Sequence, residues 1–181
     1  MPTFQIHQTS QLTGRNLINT IATVKISAGI LLFRRTATTE FLLVHPGGPF
    51  WKNKDMGVWT IPKGEIYPEE DPYQAACREF KEETGSDISG NPIALTAIKQ
   101  KSGKLVMAWA VEGDLDVGKI QSNLFEMEWP PRSGKKQFFP EIDKAGWYSL
   151  EPAREKMLPA QFHFIEELTA LQQNKSENIH L

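Results

Sequence analysis

Cysteine is almost missing from this 181-residue chain: the single thiol, Cys77, excludes an intramolecular disulfide and every Cys-rich zinc or iron–sulfur arrangement. A reducing, cytoplasmic setting is expected on that ground. Long apolar runs are missing too. The longest, around Ala28 to Phe33, falls far short of the roughly 18 residues of a membrane-spanning helix and reads as a strand. Nor is there an excess of either charge. Twenty Lys and Arg against 22 Asp and Glu leave a formal net charge of -2, so no overall positive field draws in nucleic acid or an anionic membrane. An anionic substrate must then be held by local cations or by a metal ion. Acidic residues are absent before Glu40, and the N-terminus lacks the continuous apolar stretch of a signal peptide. Residues 1–23 are expected to form a flexible extension, with organelle targeting as the alternative reading.

What is present fits one globular domain over residues 24–173, followed by a polar tail at 174–181. VKISAGILLFRR from Val24 and EFLLVH from Glu40 are β-branched and apolar, which predicts a hairpin. HPGGPFWKNKDMG is dense in Gly, Pro, Lys and Asp and reads as a long loop before a short strand at Val58 to Ile61. A helix is signalled from Pro72 to Thr84: Asp71 as its cap, Pro72 at its first position, Gln74 to complete a capping box, and Gly85 as its left-handed stop. Thr96 to Lys101 and Lys104 to Glu112 read as a second strand pair around Ser102-Gly103. QSNLFEMEWPPRSGKKQFF, broken by Pro130 and Pro131, reads as a loop. Ala145 to Leu150 returns to strand character. Helical patterns close the chain at Glu151 to Leu158 and Phe162 to Leu171, the latter with Phe162, Ile165, Leu168 and Leu171 on one face.

The chemistry concentrates in GEIYPEEDPYQAACREFKEETG, Gly64 to Gly85. Glu79, Glu82 and Glu83 stand at i, i+3 and i+4, so their carboxylates leave one helical face and repel one another. A divalent cation relieves such a cluster, and oxygen ligands favour Mg2+ or Mn2+ over zinc. Arg78, four residues before Glu82, can orient a glutamate through its planar fork. For the glutamates alone, a solvated charged face remains the competing reading.

The whole stretch resembles the Nudix box: Gly64, Glu70, Arg78, Glu79, Phe80, Glu82, Glu83 and Gly85 occupy its places. Ser86 departs from the final apolar place, where Ile88 can pack instead. Seven fixed identities coincide by chance on the order of once in a million sequences, which sets the bland reading aside for the box as a whole. The resemblance implies a three-layer α/β/α sandwich with a mixed sheet, and Mg2+-dependent hydrolysis (Mn2+ being possible) of a nucleoside diphosphate linked to another moiety. It implies Glu82 and Glu83 as principal metal ligands, Glu79 as ligand or base, and Gly64 as a carbonyl ligand. Arg78 is then an orienting partner and Glu70 an outer acid.

WTIPKG, from Trp59 to Gly64, is similar to the segment preceding the box in Nudix enzymes acting on diadenosine polyphosphates and on diphosphoinositol polyphosphates. Lys63 is accordingly a candidate for pairing with a substrate phosphate, against a solvated strand-end lysine. HPGGPFW, VMAWAVEGD and EWPPRSGKK extend the likeness to a bacterial group of predicted NTP pyrophosphohydrolases. Trp51 with Lys52 and Lys54, and the cluster Arg132, Lys135 and Lys136, are candidate base- and phosphate-binding groups or else plain solvated loops. Glu141, six residues before Trp147, is a candidate further ligand or base, with Glu126 and Glu128 as competitors. His45 and Cys77 lack the partners of a nucleophile and are expected to be structural. Trp109 is expected in the core.

The expected substrate is a small phosphoanhydride, a dinucleoside polyphosphate narrowly ahead of a nucleoside triphosphate. Diphosphoinositol polyphosphate hydrolysis and a catalytically silent ligand-binding regulator are the alternatives, while nucleic acid and membrane partners are not expected. The oligomeric state stays open.

Overall fold

The computed structural model describes residues 25–178, so the expected extension at 1–23 and the last three residues lie outside the described part. Strands β1 (Ile26–Arg35) and β2 (Thr39–Pro46) form the expected hairpin, in the register Phe33 opposite Phe41. β4 (Ile93–Lys99) and β5 (Leu105–Glu112) form the second antiparallel pair. β5 runs parallel to β1, and β8 (Ile142–Tyr148) runs antiparallel to β2. The order is therefore β4-β5-β1-β2-β8, with the short β3 (Lys63–Glu65) antiparallel to the start of β1. That is a mixed sheet.

Strand β1 is buried on both faces, which accounts for its unbroken apolar run. Ala28, Ile30 and Leu32 pack with Leu42, Ala75, Ala76 and Phe80 under helix α1 (Pro72–Thr84). The alternate residues Leu31 and Phe33 join Phe41, Leu43, Trp59, Ile61, Phe164, Ile165 and Leu168 on the other face. There α2 (Leu150–Lys156) and α3 (Pro159–Asn178) cover the sheet. These are the three layers the resemblance implied. α3 runs beyond the predicted Leu171 and takes in residues 174–178.

Helix α1 has the predicted bounds. Asp71 accepts from the amides of Tyr73 and Gln74, and Gly85, at φ 74°, donates back to the Lys81 carbonyl. The reciprocal half of the capping box, a bond from the Gln74 side chain to the Asp71 amide, is not made. Ile88 packs against the α1 core, the place Ser86 leaves unfilled.

Two expectations are corrected. Val58 to Ile61 is not a strand: only Trp59 and Thr60 make isolated bridges, and Pro62, with no amide hydrogen, separates them from β3. The 121–139 stretch is not a loop but a two-stranded hairpin, β6 (Leu124–Glu128) with β7 (Lys136–Pro140). The two prolines fall between the strands rather than within them, so they do not interrupt the alternation of Leu124 to Glu128. Trp109 is half-buried against Tyr73 of α1, in edge contact at 5.5 Å.

Candidate active site

Helix α1 lays its apolar face on β1 and turns its acidic groups to β3. Arg78 organises it. Its Nε and Nη2 donate to the two oxygens of Glu70 at 2.8 and 2.9 Å, Nη1 to Glu79 at 2.7 Å and to Glu82 at 3.2 Å, and Nη2 also to the Glu65 carbonyl at 3.0 Å. Tyr67 lies under the guanidinium at 4.1 Å from its ring centre. Five bonds from one planar group fix three glutamates at once. The Arg78 bond and the Tyr67 amide hold the Glu70 carboxyl down to about 2.

Glu79 lies against Gly64: a Cβ on that glycine would overlap the carboxylate. Glu83 accepts the Lys63 amide at 3.0 Å, so β3 and α1 are joined at the site itself. Burial pushes Glu83 up to about 8, with Glu79 and Glu141 adding to the shift and Lys63 opposing it. Burial also raises Glu79, together with the charges of Glu82 and Glu141. Loss of hydration, then the Glu82 charge, raises Glu141. Lys63 is lowered by burial and by Lys104, against the pull of Glu83 and Glu79.

The structure thus brings Glu141, from outside the box, into the field of the box glutamates. Its competitors are engaged on the β6–β7 hairpin. Glu126 pairs with Lys136 at 2.5 Å, and Glu128 accepts from the Gly134 amide at 2.9 Å.

A cavity of about 290 Å³ opens beside these groups, with Glu83, Glu141, Lys63, Lys104, Gln100 and Trp51 contributing to its wall. Lys54 stands over the Trp51 ring at 4.7 Å. Lys52 is exposed and does not line the cavity, and Arg132 stands in the β6–β7 turn, also away from it. Lys104 and Gln100 were not singled out from the sequence. The signal available was the row Lys99, Lys101 and Lys104 about the β4–β5 turn. A larger cleft, about 890 Å³, lies between the far strand ends and α3 and is lined by Phe33, Arg35, Glu112 and Leu168 among others. It contains no box residue and no concentration of acidic groups, so size does not mark the chemistry here.

Among the described residues no trio of His, Cys, Asp or Glu groups is already arranged around a cation position. Arg78 and the Lys63 amide occupy the oxygens instead. The donor set nonetheless suits a hard divalent cation in its chemistry: crowded carboxylates whose charged forms are disfavoured in its absence. None of the described helices is long and apolar enough to cross a membrane.

Residues 23–168 match the profile described as NUDIX domain, and the chain belongs to the Nudix family. The class so defined is that of pyrophosphohydrolases acting on phosphoanhydride bonds. Over 105 residues the chain is 32% identical to the asymmetrical bis(5'-nucleosyl)-tetraphosphatase of Rattus norvegicus, a match covering 50% of this chain and 67% of that protein. Across the curated relatives matched, the share of their length covered runs from 38% to 67%. The fold is shared with a C. elegans Ap4A hydrolase in a binary complex, at a TM-score of 0.52 and 23% identity over 86% of this chain and 99% of the other. It is also shared with a MutT protein from Methanosarcina mazei Go1, at a TM-score of 0.54 and 22% identity over 82% and 95%.

Proposed function

We propose that this chain hydrolyses a dinucleoside polyphosphate with Mg2+, Mn2+ serving as a substitute. One observation carries the reading: a single cavity joins the carboxylates Glu83 and Glu141 to the cations Lys63 and Lys104 and to the aromatic Trp51. A polyphosphate bearing a base needs those three kinds of group together. The likeness to the rat bis(5'-nucleosyl)-tetraphosphatase supports the choice of substrate.

Glu79, Glu82 and Glu83, with the Gly64 carbonyl, would hold the cation. Bound there, it supplies positive charge against the phosphates and acidifies water. This chain's own residues do the rest. Arg78 holds Glu79 and Glu82 in place against their mutual repulsion, so they need not reorganise as charge develops. Lys63 and Lys104 meet phosphate oxygens not under attack, and Trp51 stacks on a base. Glu141 takes the proton of the attacking water. Burial, then the Glu82 charge, raises its affinity for a proton, the direction that a general base requires.

The test is hydrolysis with Mg2+ across dinucleoside polyphosphates, nucleoside triphosphates, nucleotide sugars, capped RNA and inositol pyrophosphates. Highest kcat/KM on a dinucleoside polyphosphate is the expected result. Preference for an inositol pyrophosphate, which has no base, would remove Trp51 from the account.

A further inference from the structure

His45, one residue before the end of β2, has no exposed surface, and the proposed chemistry does not use it. Its ring joins two segments that border the cavity. Nε2 stands 2.7 Å from the Lys54 carbonyl oxygen, and Nδ1 stands 2.5 Å from Asp143 Oδ1. A carbonyl only accepts, so Nε2 donates. Nδ1 is the ring's second tie, to the carboxylate that β8 carries.

The first partner belongs to the loop of residues 47–57, which carries Trp51. The second stands two residues after Glu141. The loop is tied again at its two ends. Gly47 donates to the Glu141 carbonyl at 2.8 Å, and a Cβ on Gly47 would strike the Pro140 carbonyl. At the far end Asp55 accepts from Trp59 Nε1 at 2.9 Å and from Lys156 at 2.7 Å. Between those ties, His45 is the one side chain among the described residues that bonds the loop's backbone.

We propose that His45 is a positioning residue: it fixes the Trp51 wall of the cavity against the segment that carries Glu141. Base and reacting phosphate are thereby held at a set separation, a consequence that rests on the nucleotide reading given above. His45 touches neither metal nor substrate. Its effect therefore belongs in substrate binding rather than in the chemical step.

Three variants separate its two bonds. His45→Gln keeps a donor near the Nε2 position, His45→Asn keeps one near Nδ1, and His45→Ala keeps neither. Hydrogen exchange of the free protein should quicken across residues 47–57 in His45→Ala and His45→Asn and stay close to wild type in His45→Gln. With a dinucleoside tetraphosphate, KM should rise about 10-fold in the first two and less than about 3-fold in His45→Gln, while kcat stays within about 3-fold throughout. Unchanged loop exchange in His45→Ala, a His45→Gln loop as loose as that of His45→Ala, or loss of kcat at constant KM would each overturn the proposal. Should His45→Ala not fold, His45→Asn against His45→Gln decides the same question, and unchanged loop exchange in His45→Asn overturns the proposal. The exchange measurement needs no substrate. It decides the positioning claim even where a lack of turnover on the dinucleoside tetraphosphate defeats the functional reading.

Discussion

Replacing Gly64 by alanine tests how the site is built with a single methyl group. The glycine backbone is not in the left-handed region, so alanine meets no strain of its own there. What it meets is the Glu79 carboxylate, all three of whose heavy atoms lie within the space of the new Cβ. Glu79, 12% exposed, must swing away and give up its 2.7 Å bond to Arg78. A charge-assisted bond of that kind contributes about 1.5–3 kcal/mol. Stiffening of the unfolded chain returns roughly 0.4–1 kcal/mol, leaving a net loss of about 1–2 kcal/mol. For a domain of this size that lowers Tm by roughly 2–8 °C. Activity should suffer more, because an ångström-scale displacement of a reacting group costs about 10²-fold in kcat. Calorimetry and turnover of Gly64→Ala measure both effects. The decisive comparison is Gly64→Ala in a Glu79→Ala background, where the stability loss should shrink because the carboxylate that the methyl displaces is gone. An undiminished loss there, or wild-type turnover in the single variant, would refute the reasoning.

Removing Glu141 by Glu141→Gln should lower kcat by about 10²-fold or more and abolish the acidic limb of the pH–rate profile, while Glu126→Gln keeps both. In the cavity wall, Lys104→Ala should raise KM for a polyphosphate several-fold at roughly constant kcat, whereas Arg132→Ala, away from the cavity, should leave KM within about 2-fold. The pH dependence of stability has two parts of opposite sign. Glu70, held down to about 2 in the folded protein, contributes stability that is present above about 4.5 and lost as pH falls towards 2; Glu70→Gln should remove that loss in acid melting curves. Glu83, pushed up to about 8, makes the metal-free protein less stable as pH rises from about 4.5 through 8, so Glu83→Gln should flatten the decline of Tm over that range.

The parts of the fold and site that were legible in the sequence are those set by local chemistry. Helix α1 carries its own cap, first-turn proline and stop, and its bounds came out as predicted. The doubly buried β1 announced itself as an unbroken apolar run. The β6–β7 hairpin was misread because its two prolines dominate a pattern whose alternation is only five residues long. Its strands pair with each other outside the main sheet, so no strong core signal marks them. Lys104 and Gln100 escape for a different reason: the row of lysines marks their turn, but the parallel pairing of β1 and β5 that sets this turn beside the cavity is a long-range contact. His45 was read as structural, and its burial agrees. Its two partners, 9 and 98 residues away, could not be found from spacing.

The central claim is that the box glutamates, joined by Glu141, perform metal-dependent hydrolysis of a base-bearing polyphosphate. It is tested most directly by product analysis of a dinucleoside tetraphosphate incubated with the wild-type chain and with Glu83→Gln, each with Mg2+ and with chelator. Cleavage by the wild type only when Mg2+ is present, and a loss of about 10³-fold or more in a folded Glu83→Gln variant, is the predicted result. Cleavage that persists in chelator, or that survives Glu83→Gln with its Mg2+ dependence intact, would contradict it.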